Sequence, residues 1–150
     1  MHPLALVPLF VLLDQAIKLW VRHSLYPGWS ISIIPGILKL TYLRNSGAAF
    51  GFLAQQTEFL VAVGLITVLA VLFFFRRIPT ERRWTRYGLS LGLAGALGNL
   101  LDRVMYGYVV DMFQLRYWPG VFNLADVFII SGGILVIVEL LRLDERDLRE

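Results

Sequence analysis

The chain has no cysteine and only two histidines, His2 and His23, among its 150 residues. Without cysteine there can be no disulfide, no thiolate nucleophile and no cysteine-bearing metal site, so the cysteine peptidases are excluded. Neither histidine stands near a well-placed serine, and nothing resembles the HExxH helix of zinc peptidases, so no metal or other cofactor is expected. Charge is scarce as well: Asp, Glu, Lys and Arg make up 17% of the residues against 57% hydrophobic, with a net charge of +3. That balance excludes an ordinary soluble domain. The basic residues flank apolar runs, which argues for a membrane and against nucleic acid as the partner.

What is present is apolar sequence in long runs, at 1–13, 59–75, 87–101 and 117–138, the last broken only by Asp126. A helix needs roughly 17 to 25 residues to cross a bilayer. The expected fold is a membrane all-α domain over 1–150, with four transmembrane helices at about 4–21, 59–75, 87–104 and 122–141. The first run lacks a basic start and ends in Asp14-Gln15-Ala16-Ile17-Lys18, so it reads as a retained span and not as a cleaved signal. Between the spans the pattern changes to period two. Ser30-Ile31-Ser32-Ile33 and Leu38-Lys39-Leu40-Thr41-Tyr42 alternate around a Pro35-Gly36 turn, and Tyr108 to Phe113 is also β-like. A small extracytoplasmic sheet or cradle is therefore expected from about 27–56 and 106–121. The run Arg44-Asn45-Ser46-Gly47-Ala48-Ala49-Phe50-Gly51 is either a plain loop or a backbone surface for an extended peptide.

Ionisable groups interrupt the apolar runs, and a charge within a span is costly enough to count as a functional-site hypothesis. Asp14 and Lys18 lie four apart on one helix face; they can form an interfacial pair or support a polar site built with later helices. In the third span Gly88, Gly92, Ala96, Asn99 and Arg103 recur at spacings of three and four, a small-residue stripe for close packing that leads to a polar tip at Asn99, Asp102 and Arg103. Asn123 and Asp126 stand three apart where the fourth span opens. Trp29, Tyr106, Tyr117 and Trp118 supply an aromatic belt at the interface. The arginines at 76, 77, 82, 83 and 86 mark their loop as cytoplasmic, so both termini lie inside. Asp14, Asp102, Asp111 and Asp126 then come from four segments to one depth near the outer face.

Two carboxyls that share one proton can divide acid–base work: the ionised one activates water and the other protonates a leaving group, which hydrolyses an amide without a covalent intermediate. The rival reading is a small proton-coupled transporter or channel component that uses the same aspartates, although four short spans without an inverted repeat fit it poorly. Spacing alone leaves open whether Asp102 or Asp111 is the partner of Asp126.

The motifs Asp14-Gln15-x-x-Lys18, Arg44 to Gly51, Gly95-Ala96-Leu97-Gly98-Asn99-Leu100-Leu101-Asp102-Arg103 with Val109-Val110-Asp111, and Phe122-Asn123-Leu124-Ala125-Asp126 together resemble bacterial lipoprotein signal peptidase, or signal peptidase II. They cover nearly the whole chain in order; the departures, Ser46 in place of a common threonine and Met112-Phe113, touch no polar role. The resemblance implies an aspartic endopeptidase of the bacterial inner membrane that cleaves prolipoproteins before a diacylglyceryl-modified cysteine and is inhibited by globomycin-type peptides. It implies Asp111 and Asp126 as the catalytic pair, supported by Asp14, Lys18, Asn45, Gly47, Asn99, Asp102, Arg103, Asn123 and Ala125. The expected partners are the lipid-modified substrate and membrane lipid, with the enzyme acting as a monomer.

Overall fold

The computed structural model describes residues 2–47 and 55–147, with side chains to residue 142. Ala48 to Gly51 of the small-residue run, and the last three residues of the charged tail, lie outside the described residues. A 3-10 turn at Pro3–Leu6 leads into α1 (Val7–Ser24). The chain continues through β1 (Ser30–Ile34), β2 (Leu38–Asn45), α2 (Thr57–Phe75), α3 (Arg83–Tyr106), β3 (Val109–Leu115), β4 (Val121–Phe122) and α4 (Leu124–Asp147).

Among the described residues, three segments are long and apolar enough to cross a membrane: Pro3–Ser24, Thr57–Phe75 and Leu124–Arg142. α2 turns Phe59, Ile66, Leu69 and Phe73 outward, an apolar exterior that only a lipid surround leaves uncostly. α3 is as long but more polar, and its position explains why: it packs against α1, α2 and α4, so Ser90, Gly95, Gly98 and Asp102 are buried against protein. Val7 packs with Leu93 and Ala94, while Gln15 and Lys18 reach Gly98, Asn99 and Asp102, so α1 runs parallel to α3. Gly88 lies against Gly132 and Gly95 against Ala125, so α4 runs antiparallel to both. Gly64 meets Leu100 and Thr57 bonds the Gly107 carbonyl, which makes α2 antiparallel as well.

The small-residue stripe of α3 and the adjoining Gly95 make the contact with α4: a Cβ at Gly132 would meet the Gly88 carbonyl and the Gly92 nitrogen. A Cβ at Gly95 would collide with the Ala125 carbonyl and one at Gly98 with Asp14 Oδ2, whereas at Gly92 it would meet nothing within 4 Å. The α4 backbone is thus seated along Gly88 and Gly95, with the Gly92 backbone against Gly132, although a Cβ on Gly92 itself would point into open space.

All four strands form one antiparallel sheet in sequence order, fed by the C-terminal ends of α1 and α3 and the N-terminal ends of α2 and α4. The sheet therefore caps one end of the bundle. Val21 and Leu25 of α1 pack beneath it against Leu40, Tyr42, Val110 and Met112. β2 pairs Leu40 with Phe113 but Leu43 with Asp111, an extra residue that marks a bulge. Without the bulge Arg44 would oppose Val109; with it Asn45 does, and side-chain alternation then puts Asn45 on the face of Asp111. The fourth helix begins later than 122, because Val121 and Phe122 pair with Gln114 and Phe113 as β4.

Candidate active site

Asn123 is the N-cap of α4. Its Oδ1 accepts the Asp126 N–H at 2.9 Å, and Asp126 Oδ2 accepts the Asn123 N–H at 3.1 Å. This is a reciprocal capping box with aspartate at its third position, so helix initiation itself fixes the Asp126 carboxyl. Asn99 of α3 donates to the other oxygen, Oδ1, at 2.9 Å.

Asp111 comes from β3 and is 2% exposed. Asn123 Nδ2 donates to its Oδ1 at 2.7 Å and Asn45 Nδ2 to its Oδ2 at 2.8 Å. Burial pushes its carboxyl up from the ordinary 3.8 to about 6; the Asn45 and Asn123 bonds oppose the rise and the nearby Asp126 charge adds to it. With Asn45, Asn99, Arg103 and Asn123, both aspartates line a cavity of about 380 Å³. Its remaining wall is apolar, with Val109, Trp118, Val121, Phe122, Ile129 and Ile130.

Asp14 and Asp102 are not in that wall. Both are fully buried against Lys18, whose Nζ lies 2.9 Å from Asp14 Oδ2 and 3.2 Å from Asp102 Oδ2. Its third donor reaches Asn99 Oδ1 at 3.0 Å. The two carboxylates also hold backbone: Asp14 accepts the Ala125 N–H and Asp102 the Val110 N–H, each at 3.0 Å. Each of these bonds grips the residue just before a cavity carboxylate. Of the two readings of the Asp14–Lys18 pair, the geometry is therefore that of support, not of an interfacial pair. Asn99 joins the two groups, because its Oδ1 also accepts from Asn123 at 3.1 Å. Arg103 donates to the Gly47 carbonyl at 2.9 Å and to that of Asn99 at 3.4 Å, which ties the start of the 46–47 loop to α3. Gly47 N–H in turn bonds Asn45 Oδ1 at 2.9 Å.

The residues that the resemblance implied for the site, Asp14, Lys18, Asn45, Gly47, Asn99, Asp102, Arg103, Asp111, Asn123, Ala125 and Asp126, all lie in this connected network. Sequence reasoning missed Gln15, which donates to Asp102 Oδ1 and to the Gly98 carbonyl, each at 3.1 Å. It also gave Trp118 no part in the site, and Trp118 lines the cavity. Ile129 and Ile130 stand three and four residues beyond Asp126, a spacing that marks the same helix face. Among the described residues, no group of three His, Cys, Asp or Glu side chains is set to hold a metal.

An apolar bundle with a carboxylate-lined cavity under a sheet is the architecture of a membrane enzyme. Two solved structures described as bacterial membrane enzymes superpose on this chain with TM-scores of 0.89 and 0.85, each at 33% identity. The first match covers 95% of this chain and 93% of the other, the second 94% and 97%. The pattern of the signal peptidase (SPase) II family matches residues 6–142, and the chain belongs to that family. The lipoprotein signal peptidase of Moorella thermoacetica is 44% identical over 140 residues, 93% of each chain. That of Clostridium novyi is 38% identical over 136 residues, 88% of this chain and 92% of its own. The protein is accordingly a bacterial membrane peptidase that removes signal peptides from prolipoproteins, and the transporter reading is set aside.

Proposed function

We propose that Asp111 and Asp126 are the catalytic pair with which this signal peptidase cuts its substrate immediately before a diacylglyceryl-modified cysteine. The observation that carries the assignment is the division of the four aspartates: Asp111 and Asp126 face one cavity and share Asn123, while Asp14 and Asp102 lie outside it and are both ion-paired to Lys18. A pair of carboxyls that share a proton suits water attack. In the singly protonated state of the pair Asp111, raised to about 6, holds the proton, and Asp126 accepts one from water as the water oxygen adds to the scissile carbonyl carbon. The C–N bond then breaks, the cysteine nitrogen takes a proton from the pair, and the signal peptide leaves with a new carboxyl terminus. The apolar wall of Trp118, Phe122, Ile129 and Ile130 suits acyl chains and the signal peptide, and the same cavity accepts a globomycin-type peptide.

Asp14, Lys18, Asn45, Gly47, Asn99, Asp102, Arg103, Asn123 and Ala125 are assigned to positioning. The four helices cross the inner membrane in alternating directions, with both termini and the arginine loop cytoplasmic and the sheet outside. The alternation of helix direction, and the gathering of all four strands at one end, support this topology. One chain supplies the whole cavity, which supports a monomeric enzyme.

The test is incubation of the purified protein with a diacylglyceryl-modified prolipoprotein and with its unmodified precursor. Cleavage of the first alone, leaving the lipidated cysteine at the new N-terminus, is expected; equal cleavage of both defeats the lipid requirement.

A further inference from the structure

At the opposite end of the bundle, where α2 ends and α3 begins, a second cavity of about 410 Å³ is lined by His2, Pro3, Thr80, Arg83, Arg86 and Tyr87. Arg86 is held rigidly there. Its Nη1 donates to the Ile78 carbonyl at 2.7 Å, Nη2 lies 3.3 Å from His2 Nε2, and the guanidinium sits over Phe75 with Cζ 4.4 Å from the ring centroid. None of these partners carries a negative charge. Arg83 is exposed and adds a second guanidinium, and neither arginine has an ion-pair partner among the described residues. The neighbouring acid, Glu81, accepts from the Thr80 hydroxyl at 2.9 Å.

Two guanidiniums that form no ion pair within 4 Å among the described residues, with the Glu81 charge acting on Arg86 from further off, stand in a recess also lined by Thr80 and Tyr87 and form a donor set matched to a tetrahedral oxyanion. The start of α3 itself is taken, since the Glu139 carboxylate accepts the Thr85 N–H there. Exposed Phe73, Phe74 and Trp84 stand at the same end of the bundle, where acyl chains can lie along apolar surface. We propose that this cavity binds a phosphate anion, supplied as the head group of an anionic phospholipid in the leaflet at that end. Arg83 and Arg86 contact the phosphate and Tyr87 supplies a hydroxyl donor, while the Thr80 hydroxyl stays with Glu81. The site lies apart from the aspartates and does not depend on their catalytic assignment.

The test is thermal unfolding of the purified full chain in non-ionic detergent, titrated separately with short-chain phosphatidylglycerol, short-chain phosphatidylcholine and inorganic phosphate. Phosphatidylglycerol is expected to raise Tm saturably, phosphatidylcholine to leave it unchanged and phosphate to act only weakly. Arg83→Gln, an exposed position, should weaken the apparent affinity about fivefold. Arg77→Gln, at the same end but outside the cavity, should not. A shift equal for phosphatidylcholine, a shift undiminished in Arg83→Gln, or no shift at all overturns the proposal. An equal shift with inorganic phosphate overturns the lipid as its source.

Discussion

Asn123 Nδ2 donates to Asp111 Oδ1 at 2.7 Å, and both residues are buried. The same asparagine caps α4 through Oδ1, so one side chain starts the helix that carries Asp126 and orients the carboxyl that faces it. These two duties are separable. Serine keeps an N-cap acceptor but cannot reach out as an amide donor. Asn123→Ser is therefore expected to hold Tm close to wild type while kcat on lipid-modified precursor falls at least ~10-fold, or ~1.4 kcal/mol of barrier. A parallel loss of Tm and activity would make Asn123 a cap and nothing more.

Asp111→Asn and Asp126→Asn should each lower turnover by ~1,000-fold or more, since an amide can neither share the proton nor activate water. Because the pair works as a unit, the double mutant is expected to be scarcely worse than either single one. Asp102→Asn acts differently: it weakens the hold on Lys18 and on the Val110 N–H, so stability falls along with activity. The comparison is of kcat per folded molecule, with Tm measured alongside. If Asp111→Asn turned over normally and a well-folded Asp102→Asn were dead, Asp102 would be the partner of Asp126.

Much of this site was legible in the sequence because acids in apolar runs are conspicuous, and the Asn123-x-x-Asp126 spacing is itself a capping signature. The β character of 108–113 likewise followed from its short period-two pattern. The pairing of Asp126 was not legible: in the structure Asp102 is ion-paired to Lys18, a contact between α1 and α3 across 84 positions, whereas Asp111 lines the cavity with Asp126, and spacing announces neither. Nor was the bulge between Leu40 and Leu43. It turns Asn45 rather than Arg44 toward Asp111, and no turn residue announces it. Which helix the glycine stripe meets was not legible either. Period-four spacing identifies a face of α3, but α3 is packed on several sides, and the sequence does not say which face meets α4.

The raised Asp111 carboxyl predicts a stability slope. Its folded value of about 6 lies above the ordinary 3.8, so between these values the folded protein holds a proton that the unfolded chain has lost. Stability therefore falls as pH rises through that window, and above it the ionised, buried carboxylate remains a cost. The gap corresponds to ~3 kcal/mol at most. Wild type should lose Tm relative to Asp111→Asn between pH 4 and 6.5, with a constant difference above. Parallel Tm curves across the window would place the titration elsewhere.

Gly98 is where the supporting network and the helix packing meet. A Cβ there would stand 2.6 Å from Asp14 Oδ2 and 3.3 Å from Ala125 Cβ. Asp14 cannot yield without releasing both Lys18 and the Ala125 N–H, and Ala125 immediately precedes Asp126. Gly98→Ala is accordingly expected to cost about 1 to 3 kcal/mol through overpacking and to lower kcat even in the folded fraction, because the carboxyl moves with the start of α4. Gly92→Ala is the control. It lies on the same helix with nothing within 4 Å of its Cβ, so it should gain about 0.5 to 1 kcal/mol from helix propensity and leave turnover unchanged. The two substitutions add the same methyl group to the same helix, so opposite signs in Tm can come only from what that methyl meets. Equal Tm and equal kcat for the pair would mean that α4 is not seated against Asp14 and Gly98 as described.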